Sequence, residues 1–164
     1  MKLENQIYPE KPAERYLLIQ KQLAALLEGE KDWVANLANA AALLYNALPR
    51  INWVGFYRVQ DGELLLGPFQ GKPACVHIPI GRGVCGTAVA HNTTQLVPDV
   101  HCFAGHIACD ADSASELVIP LHSNGKVTGV LDIDSPVPNR FNEQDAHALE
   151  KITQLISESC VWAN

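Results

Sequence analysis

The chain lacks the features that place a protein in a membrane or on a polyanion. No stretch approaches the roughly 18 consecutive apolar residues of a transmembrane helix. The polar N-terminal segment, which carries Pro9, has no apolar core of an export signal. Lys and Arg never form a run, and 12 basic against 18 acidic residues give a net charge of −6. Because phosphate backbones and anionic lipids require a basic surface, we expect neither a nucleic-acid nor a membrane partner.

Several catalytic motifs are also missing. Gly81-Arg82-Gly83 is similar to the start of a phosphate loop, but no Lys-Ser/Thr follows at Walker spacing and no G-x-G-x-x-G is completed. We therefore interpret it as a turn. Ser113 and Ser115 have His106 nearby without a G-x-S-x-G elbow, which disfavours a serine hydrolase.

A structural zinc site is disfavoured in the same way. No C-x-x-C pair occurs, and no second pair stands at finger spacing. The alternative remains open, because one segment contains the residue types that zinc prefers, namely His101, Cys102, His106 and Cys109.

The chain has the length and composition of one ordinary globular domain. Its 164 residues are 48% hydrophobic, so we expect a single domain over residues 1–164 whose core needs neither disulfides nor metal. Five cysteines are an odd number and cannot all pair. With no export signal, a cytoplasmic location with reduced thiols is predicted, and the cysteines need another explanation.

Apolar periodicity predicts helices at both ends of the chain. A first helix starts at Pro12 and ends before Gly29, a second is capped by Asp32 and ended by Pro49, and a last one is capped by Asn142. Between them, two hairpins are predicted at the turn signals Asp61-Gly62 and Asn124-Gly125, with strands over Asn52–Val59, Glu63–Leu66, Glu116–His122 and Lys126–Asp134.

The rest of the middle segment is less regular. It predicts short strands over Cys75–Ile80 and Thr94–Val97, a short helix within Gly81–Ala90, and a long loop from Asp99 to Ser115. Hairpin connections imply a mainly antiparallel sheet, and the terminal helices should stack on one face of it, as in an α+β domain. The apolar stripes of the terminal helices are compatible with a homodimer.

Strand alternation gathers polar residues on one sheet face. The apolar sets of the strands should lie against the terminal helices, which leaves the carboxylates Glu116, Asp132 and Asp134 together on the opposite face. Trp53 and Tyr57 also share a strand face. An aromatic wall over an anionic floor would suit a small cationic ligand such as an amino group. The alternative is a solvated face with scattered charges.

The cysteines divide by their surroundings. Cys160 completes the stripe of the last helix and is predicted to be a small core residue. Three others lie in or beside turns, where thiols can be exposed: Cys75, Cys85 and Cys109.

Local charge distinguishes two of these thiols. Cys85 stands at the start of the short helix near Arg82, where the helix dipole and a cation would lower its pKa. Cys109 is followed by Asp110 and Asp112, which would raise its pKa. Local charge therefore favours Cys85 as the more acidic thiol.

The chain from about Asp32 onward resembles the free methionine (R)-sulfoxide reductases of the GAF-domain family. The motifs that carry the resemblance are Asp32-Trp33-Val34-Ala35-Asn36-Leu37-Ala38-Asn39, Trp53-Val54-Gly55-Phe56-Tyr57, Gly67-Pro68-Phe69-Gln70-Gly71-Lys72-Pro73-Ala74-Cys75, Gly81-Arg82-Gly83-Val84-Cys85-Gly86, Gly105-His106-Ile107-Ala108-Cys109-Asp110, Ser115-Glu116-Leu117-Val118-Ile119-Pro120 and Gly129-Val130-Leu131-Asp132-Ile133-Asp134-Ser135. The resemblance implies a GAF domain with a PAS-like antiparallel sheet and helices on both sides.

The same resemblance implies site residues and a reaction. It matches Cys75, Cys85 and Cys109 to redox cysteines, Glu116, Asp132 and Asp134 to pocket carboxylates, and Trp53 and Tyr57 to pocket aromatics. The implied reaction reduces free methionine (R)-sulfoxide to methionine through a cysteine sulfenic acid and a disulfide. Thioredoxin, supplied by NADPH through thioredoxin reductase, is the implied external reductant, and neither a bound cofactor nor a metal is expected.

We assign roles within this set as hypotheses. Glu116 is the general acid, Asp132 and Asp134 hold the substrate ammonium, and Trp53 covers the S-methyl group. Cys109 is the nucleophile, although local charge favours Cys85.

The remaining assignments stay open. Either Cys85 or Cys75 is the resolving residue. Cys102 has no counterpart in the family motif, and it is either a bystander or a second disulfide partner for Cys109. Two alternative functions are a GAF module that binds a small ligand without turnover and a thiol redox sensor.

Overall fold

The computed structural model describes residues 7–107 and 110–162. In these ranges the elements follow the order α1 (Pro12–Leu27), α2 (Trp33–Ala47), β1 (Trp53–Gln60), β2 (Glu63–Gln70), β3 (His77–Pro79), α3 (Gly83–His91), β4 (Gln95–Val97), β5 (Ser115–Ser123), β6 (Lys126–Ser135) and α4 (Glu143–Ser159). No helix among them combines the length and apolar composition that crossing a bilayer takes.

The six strands form one antiparallel sheet in the order β3-β2-β1-β6-β5-β4. Asp61 and Gly62 have φ angles of 51° and 86°, and Asn124 and Gly125 have 50° and 74°. Positive φ at both central residues is typical of the two-residue turns whose twist suits a hairpin. Both predicted hairpins are confirmed.

Side-chain caps fix the start of two helices. The Asp32 carboxylate accepts a hydrogen bond from the Ala35 N–H at 2.9 Å, and Asn142 forms a capping box with Asp145 at the start of α4. Each cap satisfies backbone donors that the first helical turn leaves unpaired. The predicted starts of α2 and α4 are thus confirmed.

The sheet separates two apolar clusters. Helices α1, α2 and α4 cover one face and bury strand residues that include Val54, Phe56, Leu117, Ile119, Leu131 and Ile133. Helix α3 covers the other face, where the buried set includes Trp53, Tyr57, Cys85, Val118 and Val130. This arrangement confirms both the α+β prediction and the assignment of the strand residues to faces.

The predictions for the irregular segment need correction at two places. The strand predicted over Cys75–Ile80 covers only His77–Pro79. At its C-terminal end, Pro79 has no N–H to donate to the sheet. At its N-terminal end, the last bond to β2 runs from the Leu66 N–H to the Val76 carbonyl, and the chain then leaves the sheet. Cys75 therefore lies in the β2–β3 loop. Cys160 is the C-cap of α4 and only partly buried, although it still packs against the larger core.

We expect Asp145→Ala to cost about 3 to 5 kcal/mol of stability. The buried Asp145 carboxylate accepts the Tyr16 hydroxyl at 2.5 Å, lies 3.3 Å from Arg140 Nη1 and closes the capping box. Its removal leaves the buried Arg140 guanidinium without this partner. Urea unfolding measures the loss. The exposed Glu143→Ala in the same turn is the control and should change stability by less than about 0.5 kcal/mol; equal effects would contradict the prediction.

Candidate active site

Residues from three neighbouring strands meet on the sheet face that α3 covers. Trp53 of β1 pairs with Asp134 of β6, and Asp134 pairs in turn with Glu116 of β5. Paired residues of antiparallel strands project to the same side, so these side chains form one row across the sheet. Asp132 and Tyr57 project to the same side, and all five line a single cavity.

The aromatic wall of the cavity is a stack. The Trp53 ring lies 5.3 Å from the Phe69 ring at an interplanar angle of 16°, and 6.1 Å from the Tyr57 ring. Gly55 makes this possible, because a Cβ there would lie 2.3 Å from Phe69 Cβ and 2.5 Å from a Trp53 ring atom. The wall is therefore positioned by packing.

Polar atoms of the same aromatics hold the β2–β3 loop. Trp53 Nε1 donates to the Lys72 carbonyl at 3.1 Å, and the Tyr57 hydroxyl donates to the Cys75 carbonyl at 2.9 Å. Aromatic side chains that are otherwise buried thus satisfy their polar groups on backbone atoms. The loop that carries Cys75 is consequently anchored at the edge of the cavity.

The three carboxyl groups of the floor are buried and close together. Burial is the largest cause that raises the pKa of each well above its ordinary value, and the charge of a neighbouring carboxylate adds to it: Asp134 for Glu116, Glu116 for Asp132, and Asp132 for Asp134. Like charges in a desolvated site cannot all ionise. Burial and mutual repulsion therefore favour the protonated forms of these carboxyl groups.

One acceptor atom of the floor has no partner. Asp132 Oδ2 accepts from the Cys85 thiol at 3.3 Å, while Oδ1 is buried without a hydrogen-bond partner in the described structure. Buried polar atoms are normally satisfied. When Asp132 is protonated, this oxygen can carry the proton; when Asp132 ionises against a bound cation, the same oxygen can accept a hydrogen bond from that cation.

The prediction that the helix start and Arg82 lower the pKa of Cys85 is wrong, whereas its comparison with Cys109 lies outside the described residues. The Cys85 side chain is buried, and burial followed by the charges of Asp132 and Glu116 raises its pKa well above the ordinary value. Its place in the first turn of α3 and the nearby Arg82 do not offset these effects. The thiol stays protonated and donates its proton to Asp132.

The remaining cysteines have different environments. Cys75 is disulfide-bonded, whereas Cys85, Cys102 and Cys160 carry free thiols. Cys102 is exposed and lies 3.6 Å from an oxygen of Asp99, whose charge raises the pKa of the thiol. The predicted nucleophile, Cys109, lies outside the described residues.

The structure adds three residues to the pocket that sequence reasoning did not place there. His106 Nε2 lies 3.6 Å from Glu116 Oε2, and burial lowers the pKa of the imidazole, which is therefore neutral at neutral pH. Asp110 and Ser113 also line the cavity. All three lie in the long β4–β5 loop. Because this loop has no regular periodicity, its sequence does not indicate which of its side chains face the pocket.

The described residues of the proposed zinc ligand set in this loop do not come together as a site. His101 and Cys102 are exposed, whereas His106 faces Glu116. In the described ranges, potential ligand atoms of Cys85, Glu116 and Asp132 lie within 4.8 Å of one another. Burial and the charges of neighbouring groups raise the pKa of all three, so the cluster favours bound protons or a bound cation over bare charges.

The antiparallel sheet with helices on both faces, together with a family model for the GAF domain that matches residues 32–159, defines the protein as a GAF-domain protein. Free methionine-R-sulfoxide reductase of Escherichia coli is 55% identical over 85% of this chain and 84% of that protein. The Saccharomyces cerevisiae enzyme of that name is 49% identical over 84% of this chain and 81% of its own length.

A solved structure agrees with these relatives. The free methionine-R-sulfoxide reductase of Neisseria meningitidis, determined in complex with its substrate, superimposes with a TM-score of 0.91 at 44% identity and covers 94% of this chain and 93% of its own. The chain belongs to the free methionine-R-sulfoxide reductase family of GAF-domain proteins.

Proposed function

We propose that the protein reduces free methionine (R)-sulfoxide to methionine. The observation that carries the proposal is the buried floor of three carboxyl groups beneath the aromatic wall, all of which line one cavity. The substrates named for the related enzymes support the same choice.

The floor selects a free amino acid. An incoming ammonium group would offset the repulsion among the carboxyl groups and allow Asp132 and Asp134 to ionise as its partners. Trp53 would cover the S-methyl group. A methionine within a polypeptide has no charged α-amino group, so it would leave the desolvated carboxyls without a counter-charge.

The reaction transfers the sulfoxide oxygen to a cysteine. The Cys109 thiolate attacks the sulfoxide sulfur, which forms a bond between the two sulfur atoms, and Glu116 donates a proton to the sulfoxide oxygen. The resulting hydroxyl group then moves to the Cys109 sulfur as the sulfur–sulfur bond and the sulfur–oxygen bond of the substrate break, and methionine leaves. Cys109 takes up the oxygen as a sulfenic acid. Glu116 suits this role because burial raises its pKa and so favours the protonated acid. Its Oε2 also lies 3.6 Å from His106 Nε2, through which a proton can be replaced.

Cys75 then resolves the intermediate. Its sulfur attacks the Cys109 sulfenic sulfur, a disulfide forms and water leaves. The disulfide state of Cys75 and the buried, protonated thiol of Cys85 favour Cys75 over Cys85 for this role. A thioredoxin-type dithiol, kept reduced by NADPH through thioredoxin reductase, would restore both thiols, which fits a cytoplasmic setting.

The test is NADPH oxidation in the presence of thioredoxin and thioredoxin reductase. We expect turnover with free methionine (R)-sulfoxide and none with the S epimer or with a peptide sulfoxide. Turnover of the peptide sulfoxide would contradict the role of the carboxyl floor. NADPH oxidation with peroxide alone would indicate a thiol redox sensor. Ligand binding without turnover would indicate a signalling module.

A further inference from the structure

The roof of the pocket is made by two loops, each of which carries one of the cysteines proposed to react. The β2–β3 loop, residues 71–76, contributes Pro73 and Ala74 to the lining and contains Cys75. The β4–β5 loop contributes Asp110, which follows Cys109 in the sequence. Disulfide formation between Cys75 and Cys109 requires these two loops to meet.

Each loop is tied to the beginning of β1. Trp53 holds the first loop through the Lys72 carbonyl. Asn52, one residue earlier, donates its side-chain N–H groups to Asp110 Oδ2 and to Ser113 Oγ, both at 3.1 Å. These contacts anchor the loops separately and do not join them to each other.

The Lys72 side chain joins the two loops directly. Its ammonium contacts the Asp112 carboxylate and lies 3.4 Å from Asp110 Oδ1. Asp110 is well buried, with 8% of its side chain exposed, and its Oδ1 also accepts the Asp112 N–H at 2.9 Å. The hydrogen bond from the Asp112 N–H, and after it the contact with Lys72, hold the pKa of Asp110 below its ordinary value. The hydrogen bonds of the Lys72 ammonium to Asp112 and Asp110 raise the pKa of Lys72. Both partners are therefore charged at neutral pH.

We propose that Lys72 is a positioning residue that holds the β2–β3 loop against the β4–β5 loop and thereby speeds the resolving step. This inference rests on the proposed roles of Cys109 and Cys75. Among the described residues, the Lys72 ammonium pairs with Asp110 and Asp112. Through these contacts it raises the frequency with which the Cys75 sulfur meets the Cys109 sulfenic sulfur, where one disulfide bond forms and water leaves.

The experiment follows disulfide formation in the reduced full-length protein after a pulse of oxidant. Free methionine (R)-sulfoxide is used in one arm and excess hydrogen peroxide in the other. Samples are quenched by alkylation of free thiols, and the mass of the intact protein is measured by mass spectrometry. The variants are Lys72→Ala, Lys72→Arg, Lys72→Glu and the charge swap of Lys72→Glu with Asp112→Lys. Lys126→Ala, at the distant β5–β6 turn, is the control.

We expect disulfide formation in Lys72→Ala to be about fivefold slower, in line with the loss of one partly exposed ion pair. Lys72→Glu should be slower still because it repels Asp110 and Asp112, the charge swap should recover most of the rate, and Lys72→Arg and Lys126→Ala should match the wild type. Added salt should slow the wild type and leave Lys72→Ala unchanged.

Two results would overturn the inference. One is a Lys72→Ala rate equal to that of the wild type with both oxidants, and the other is a Lys72→Glu defect that Asp112→Lys does not relieve. If the wild type forms its disulfide with peroxide but not with the sulfoxide, the proposed substrate is wrong, and the peroxide arm still decides the role of Lys72.

Discussion

Cys109→Ser is expected to lower reduction of free methionine (R)-sulfoxide by several orders of magnitude, to background. A serine hydroxyl is not ionised at neutral pH and cannot take up the sulfoxide oxygen, so neither methionine nor a sulfenic acid forms. Cys75→Ser should behave differently. It should release one equivalent of methionine and stop, with a single added oxygen on Cys109 by mass spectrometry, because the resolving sulfur is missing.

The other cysteines supply matched controls for this comparison. Cys102 is exposed, and Cys160 caps α4 on the opposite side of the sheet from the pocket. Serine at either position should leave turnover within about twofold of the wild type, since neither thiol contacts the site. If Cys109→Ser still formed a sulfenic acid with one equivalent of methionine released, another cysteine would be the nucleophile.

The carboxyl floor could be predicted from the sequence because its geometry depends on strand period and on turns that are encoded locally. Asn124-Gly125 starts the β5–β6 pairing, and the unpaired Thr128 then shifts the register by one residue, so that Glu116 lies opposite Asp134. Beyond this irregularity, alternation decides the face for each residue from Glu116 to Leu121 and from Gly129 to Asp134. If either strand were shifted by one residue, its acids would be buried against α1, α2 and α4 and its apolar residues would face the pocket. The burial of the apolar residues in the larger core therefore disfavours such a shift.

The acidity of Cys85 could not be predicted in this way because it depends on contacts between distant segments. Sequence neighbours supply the helix start and Arg82, both of which favour a thiolate. The larger effects come from burial and from Asp132, which lies 47 positions away in the chain. The same holds for His106, Asn52 and Lys72, whose partners lie across loops without regular periodicity. For such groups the tertiary fold sets the chemistry.

Glu116→Gln should lower turnover by about 10² to 10⁴-fold, the usual contribution of a general acid. Glutamine preserves the shape of the side chain but has no proton of suitable acidity to give to the sulfoxide oxygen. Substrate binding should be less affected, because Asp132 and Asp134 remain. Steady-state kinetics with the thioredoxin couple measure the change, and the exposed Glu28→Gln is the matched control. Full activity in Glu116→Gln would remove Glu116 from the mechanism.

The same variant should gain stability relative to the wild type as the pH rises. Burial, and then the charge of Asp134, raises the pKa of folded Glu116 well above its ordinary value of 4.5. The folded state therefore binds a proton that the unfolded state releases, and this contribution to stability, complete below about pH 4.5, is lost as the pH climbs toward the folded pKa. Glutamine does not titrate, and its presence also removes the Glu116 charge that raises the pKa of Asp132.

Urea unfolding between about pH 4 and about pH 8 should show the free energy of unfolding of Glu116→Gln increasing relative to that of the wild type, while Glu28→Gln runs parallel to the wild type. A difference that stays constant with pH would mean that Glu116 ionises in the folded pocket as it does in water.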